Sequence, residues 1–488
     1  MKTKSLKLNA LLNGLRSLMS VIYPLITFPY VSRVLSVSGI GKYNFSSSII
    51  SYFSLIAALG ISTYAVREGA KIRNNKKAIN SFTNEMFTIN IVSALIAYLL
   101  LFTCLYLFVQ LHNYITCILV FSIEIGFSVI SVDWLFTVYE DFFYITIRSI
   151  FFQVISIILL LIFVRKSSDY LNYAAITVFS NVGSNIFNFF KAKKDHHIKI
   201  VLHLNIKKHI LPILILFGAN VANLIYVNSD ITVLGLMKSN YIVGIYSVSS
   251  RIYMIGKNVL AAVLLVTVPR LAMLYGNKKI SAYKKLLSTL TNSLIMFTLP
   301  VMIGLIMLSR QIILIISGSN YLRSITSLRI LALAYMFAIL AWILNDCVLV
   351  PAKREKYILV CMSISAILNI LINIVLIPYL DENAAAFSTV VAELSMFLLN
   401  YYFSRDIIRG IFKFKGFLKT LMQSLSGCIA IAIVCIIINH FIKGVLLSTI
   451  CSIVISIGIY LIVLILEKNV YVLNFLGSLL KNTDKKIE

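Results

Sequence analysis

The sequence predicts an all-α integral membrane protein of about fourteen transmembrane helices, and three observations carry that prediction. Long apolar runs fill the 488 residues; 60% are hydrophobic and the mean hydropathy is +0.93. A hydrocarbon core about 30 Å thick needs roughly 20 apolar residues per helix. Backbone polar groups in lipid must be satisfied within their own segment, so such runs are helices. Lys and Arg gather in every second gap between runs, the alternation expected of loops that stay on the cytoplasmic side. A short motif also recurs six spans later.

In order, the spans fall at 9–31, 40–61, 87–109, 114–137, 142–164, 170–190, 210–229, 241–268, 286–309, 325–350, 358–378, 384–403, 418–440 and 444–466. The first follows the basic flank Met1–Lys7 and lacks a small-residue cleavage site, so it reads as a span and not as a secretory leader. Pro24 and Pro29 fall inside it, where each removes a helical hydrogen bond and invites a bend. That makes the first helix the candidate moving element. Gln110–Asn113 and Asp381–Asn383 are turns without Lys or Arg. The basic gaps are Arg67–Lys77, Lys191–Lys208, Arg270–Lys285, Lys353–Lys356 and Arg405–Lys419. Counting sides places both termini in the cytoplasm. The tail near Val470–Leu480 has an amphipathic pattern suited to a membrane surface or to a cap on the last helix.

The net charge of +26 would suggest nucleic acid in a soluble protein. Here most of the 44 Lys and Arg sit on one side of the membrane, so no nucleic acid is expected and the basic loops meet anionic lipid. The seven cysteines lie in or beside spans with no C-x-x-C pair, and read as small apolar residues. His196, His197, His203 and His209 have no Cys or acidic cluster beside them, apart from Asp195, so no metal site is expected. There is no P-loop; no cofactor and no direct ATP drive are expected.

The second span opens Gly41, Tyr43, Ser46, Ser47, Ile49, and the eighth opens Gly244, Tyr246, Ser249, Ser250, Ile252. Both read G-x-Y-x-x-S-S-x-I, and a Val-Leu pair precedes each (Val34–Leu35 and Val233–Leu234). An even separation means both copies cross in the same direction. Two parallel six-helix lobes follow, related by an axis along the membrane normal. The expected organisation is an N-terminal lobe at 1–209, a C-terminal lobe at 210–417, and two added helices with a tail at 418–488. Twin lobes with a cleft suit alternating access.

Polar side chains are costly in a bilayer and tend to face protein or water. In the first helix Asn13, Arg16, Ser20, Tyr23, Thr27 and Tyr30 recur at steps of three and four, which places them on one face. Asn220, Asn223 and Asp230 share a face of the seventh helix. Asn181, Ser184, Asn185 and Asn188 share one of the sixth. Arg251 and Asn258 share one of the eighth, beside Lys257. Helices one, two, seven and eight are therefore expected to line the cleft. Its fixed cations would be Arg16, Arg251 and Lys257, with Arg33 and Lys42 near the outer rim and Arg148 in the fifth helix. An Arg fork and a Lys point charge suit phosphate oxygens. Asn13, Tyr23, Asn220 and Asn223 would meet polar substrate groups. The buried acids Glu124, Asp133, Asp230, Asp346 and Glu393 leave two readings open. They carry a coupled proton or sodium ion, or they serve as counter-ions to the arginines.

The run from Asp133-Trp134 through Glu140 to Arg148-Ser149 resembles the turn between helices four and five of the Wzx-type polysaccharide repeat-unit flippases. It departs from them at Val138, where those proteins often carry Gly. Ser229-Asp230, Val233-Leu234-Gly235, Val243 to Ser247 and Pro269-Arg270 are similar to the same family's helix seven and eight region. The resemblance runs in order through nearly the whole chain. It implies the multidrug/oligosaccharidyl-lipid/polysaccharide exporter fold, in which two six-helix lobes form a V. It also implies a substrate, a polyprenyl-diphosphate-linked oligosaccharide flipped to the outer leaflet of the bacterial cytoplasmic membrane for capsule or O-antigen assembly. Glycosyltransferases and a polysaccharide polymerase are the partners such a pathway brings. A peptidoglycan-precursor flippase of the same fold would also have a cationic cleft. A cation-coupled multidrug antiporter would prefer an acidic one. An integral-membrane glycan polymerase usually needs a large outer loop, and every outer loop here is short, so no enzymatic activity is expected.

Overall fold

The computed structural model describes residues 6–201, 205–409 and 414–474. Among the described residues it is all helix. Packing divides the chain into two units, Met1–Ser247 and Val248–Glu488, and the division falls inside one long helix.

The first unit contains α1 (Leu6–Val34), α2 (Val37–Ala58), α3 (Ile61–Ile72), α4 (Lys76–Leu107), α5 (Ile115–Val129), α6 (Asp133–Val138), α7 (Phe142–Phe163), α8 (Tyr170–His196), α9 (Ile206–Met237) and the start of α10 (Asn240–Gly276). Local chemistry sets the boundaries. Ser36 caps α2, its hydroxyl accepting from the Gly39 amide at 3.0 Å. Left-handed Leu59 (φ 48) and Gly60 (φ 75) end α2 and turn the chain into α3. Asn75 caps α4 through the amides of Lys77 and Ala78. Between α7 and α8, exposed Asp169 accepts from the amides of Arg165 and Lys166, and these donors hold its carboxyl below the usual aspartate range.

α2 packs against α4, α5, α8 and α9, while α1 lies on α7 and α7 on α8. A buried core of Ile61, Tyr64, Phe82, Met86, Trp134 and Leu135 joins α3, α4 and α6. His209 is buried beside it. Its Nδ1 meets the Tyr64 hydroxyl at 2.7 Å and its Nε2 meets Glu85 at 2.8 Å. A carboxylate only accepts, so Nε2 carries the hydrogen.

The repeated motif has a structural role in this unit. A Cβ on Gly41 would overlap the backbone carbonyl of Asn240, and one on Gly244 would overlap that of Val37. The opening turns of α2 and α10 therefore cross in backbone contact, each glycine receiving the other helix.

The second unit contains the rest of α10, then α11 (Ile280–Met307), α12 (Ser309–Ile316), α13 (Ser324–Leu344), α14 (Glu355–Leu380), α15 (Glu382–Ile408), α16 (Phe414–Phe441) and α17 (Val445–Leu466). α13 runs into a π turn, Asn345–Leu349, that contains Asp346. α15 packs on both α13 and α14, α11 on α13 and α16, and α16 on α17.

Thirteen of the fourteen expected spans each fall on one long helix. Eleven segments among the described residues are long and apolar enough to cross a membrane. α1, α8 and α10, three of the helices with polar stripes, are not among them. Exposed Leu95, Leu99 and Tyr106 on α4 present the apolar outer surface a bilayer requires. Two expectations are corrected. The span 114–137 is two helices, because α5 stops at Val129 and the chain restarts at Asp133. The basic gap 67–77 is mostly helical, its first half belonging to α3, which buries Ile61, Tyr64 and Ala65 and exposes Arg67 and Lys71.

Candidate functional site

In the first unit the polar residues converge on α6. Arg148 of α7 is only 7% exposed and gives Nη2 to Asp133 at 3.0 and 3.3 Å. Asn188 of α8 donates its amide to the same carboxylate. Since Asp133 accepts only, it orients both partners. Among the described residues, Asn188 Oδ1 and the Nε and Nη1 groups of Arg148 are buried and have no hydrogen-bond partner. Tyr144 lies beneath the guanidinium, 5.7 Å to the ring centroid. Lys191 Nζ stands 3.6 Å from the centre of the same ring and 3.2 Å from Asp141. One turn beyond, His196 meets Asn80 at 2.9 Å, and burial lowers its imidazole below the ordinary histidine range. An uncompensated buried donor costs about 1–3 kcal/mol, so the described residues leave this cluster with donors to spare.

Other acids of this unit have polar partners. Glu124 accepts from Asn181 at 2.9 Å, and Asp230 from the Tyr246 hydroxyl at 2.6 Å. Tyr246 belongs to the repeated motif. Its counterpart Tyr43 bonds Thr177 at 3.0 Å and stacks on Tyr173. Lys42 lies 5.6 Å from the Tyr170 ring. Arg33 is exposed in the last turn of α1, and Tyr23 accepts from Ser156 at 3.1 Å. Asn220 is half-buried and Asn223 exposed on α9. The side chains of Asn13 and Arg16 lie outside the described residues, as does His203.

The second unit holds a separate polar centre. Lys257 of α10 is 8% exposed and pairs with Glu393 of α15 at 2.5 Å, and the Tyr253 hydroxyl donates to the same oxygen at 3.1 Å. Trp342 lies 5.1 Å from the ammonium. Arg251 is exposed on the same helix. The structure thus brings Asp133 together with Arg148, and Lys257 together with Glu393. Sequence reasoning did not identify Lys191, Tyr144, Tyr253 or Trp342 as members of these clusters. The sequence had marked Arg148, Asp133, Lys257 and Glu393 as ionisable groups at membrane depth, and the polar stripe of α8 had marked Asn188.

The arrangement offers buried cations on carboxylates, spare donors and aromatic faces, which is binding chemistry. A family model described as polysaccharide biosynthesis protein matches residues 6–275. A "Putative O-antigen transporter" of Shigella dysenteriae is 22% identical over 380 residues, covering 77% of this chain and 93% of its own length. The solved structure of the lipid II flippase MurJ in an inward closed conformation aligns with a TM-score of 0.73 at 16% identity, over 95% of this chain and 99% of that one. An inward-facing multidrug resistance transporter of the MATE family aligns with a TM-score of 0.56 at 14% identity, over 80% and 99%.

Proposed function

This chain belongs to the polysaccharide biosynthesis protein family, and on that premise we propose that it flips polyprenyl-diphosphate-linked oligosaccharides from the inner to the outer leaflet by alternating access. It is a multi-pass protein of the bacterial cytoplasmic membrane with the fold of the flippase and transporter structures it matches. The observation that carries the reading is the family match over 6–275, which spans the α6–α8 cluster. The chemistry of that cluster supports it. Arg148 keeps two donors beyond those given to Asp133, and a guanidinium edge fits diphosphate oxygens. In the same unit Arg33 and Lys42 add cationic groups, while Asn220 and Asn223 add amides for sugar hydroxyls; Arg251 is a cation of the second unit. The prenyl tail stays in lipid. Coupling falls to the acids, with Glu124 first, because its partner among the described residues is an amide and not a cation.

Deletion of the gene, followed by extraction of inner-membrane lipids, tests the function. Accumulation of a glycosylated polyprenyl diphosphate on the inner leaflet is expected, reversed by the wild-type gene. Build-up of a peptidoglycan precursor instead would assign the chain to that pathway. Arg148→Lys keeps the charge but removes the fork, and is expected to cut export by about tenfold, one lost charge-assisted hydrogen bond. Unchanged export at equal protein level would remove Arg148 from substrate handling.

A further inference from the structure

We propose that a cavity beside α6 is a subsite for a neutral sugar ring; this rests on the flippase reading above and assigns the sugar end of that substrate a place in the first unit. The cavity, of about 110 Å³, is lined by α3, α4, the ends of α2 and α5, the break 130–132 and α6. One water needs about 10–15 Å³ of such space, so there is room for roughly seven to eleven waters, or one ring-sized solute.

Its walls define the ligand. Ser62 at the rim is exposed. Phe87 and buried Trp134 supply aromatic carbon, and Asn90 supplies an amide. Among the described residues, no charged side chain lines the cavity. A phosphate or an ion would lose its hydration there with no counter-charge in return. A hydroxyl-rich ring gains on both counts, with C–H faces against the aromatics and O–H groups against the polar wall.

Asn90 has an unmet need that such a ring would fill. Its Nδ2 donates to the Ser128 carbonyl at 3.0 Å, an oxygen that can only accept, which fixes the amide. Asn90 Oδ1 is then left buried and without a partner among the described residues. A sugar hydroxyl is the donor it lacks. The break after α5 exists at this point, so the cavity is made by the chain irregularity the sequence did not reveal. Trp134 on its wall follows Asp133 directly, and Asp133 holds Arg148. A six-residue helix thus joins the cavity to the cationic cluster, as the sugar and diphosphate of one substrate would require.

The test uses the full chain in nanodiscs with two probes, a polyprenyl diphosphate bearing one N-acetylglucosamine and the same lipid with a bare diphosphate. The wild-type protein is expected to bind the glycosylated lipid about fivefold more tightly, and Asn90→Ala to erase that difference while leaving the bare lipid within about twofold. Alkylation at the thiol introduced by Ser62→Cys, read on its own peptide, is expected to slow with the glycosylated lipid and not with the bare one. Free N-acetylglucosamine giving the same protection would identify an isolated sugar, not a lipid-linked one, as the ligand and overturn the link to the diphosphate. Equal binding of both lipids by the wild-type protein, or an unaltered preference in a folded Asn90→Ala variant, overturns the subsite alone. Binding of neither lipid overturns the flippase reading with it.

Discussion

Lys257 and Glu393 are 136 residues apart in the chain and 2.5 Å apart in space. Each alone would be an expensive buried charge; together, with Tyr253 and Trp342 around them, they are accommodated. Removing one partner leaves the other uncompensated, a loss of about 3–5 kcal/mol in buried pairs, whereas replacing both by apolar groups is often neutral. Lys257→Met is therefore expected to lower the unfolding temperature in detergent sharply, and Lys257→Met with Glu393→Met to recover most of it. A double variant as unstable as the single would show that the pair is not the source of the loss. The sequence marked both residues as ionisable groups at membrane depth but could not pair them. Partners on α10 and α15, or on α6 and α7, are chosen by packing, and nothing in the spacing of Asp133, Arg148 and Asn188 announces that one carboxylate serves both others.

Long helices were legible because lipid leaves the backbone no alternative over 20 apolar residues. Short ones were not. α3, α6 and α12 have 12, 6 and 8 residues, too few to register as spans. The break between α5 and α6 lies inside a mostly apolar run with no Pro or Gly at 130–132 to mark it. The crossing of α2 and α10 was half visible, since the repeated Gly41 and Gly244 were evident but not their contact. Gly41→Ala and Gly244→Ala each place a methyl group in the opposing backbone, and overpacking of this kind costs about 1–3 kcal/mol. Gly218→Ala on α9, where an added methyl group meets no other described element within 4 Å, is expected to be neutral or to stabilise by up to about 1 kcal/mol. Thermal unfolding of the three variants checks the contrast; equal shifts would mean the crossing carries no special constraint.

Over the whole molecule, the all-helical membrane class followed from hydropathy, and the sidedness has a direct measurement. Lys77→Cys and Tyr379→Cys sit at exposed positions at opposite ends of the proposed spans. An impermeant maleimide added to intact spheroplasts is expected to label the second and spare the first. The reverse pattern would invert the topology, and labelling of both would break the alternation of basic loops. One further consequence follows from the glycine crossing. Each notch holds the partner's carbonyl, so axial slip of either rod would disengage both notches together and drive bulkier neighbours into main-chain atoms. The junction is thus a registry pin that tolerates pivoting and resists sliding.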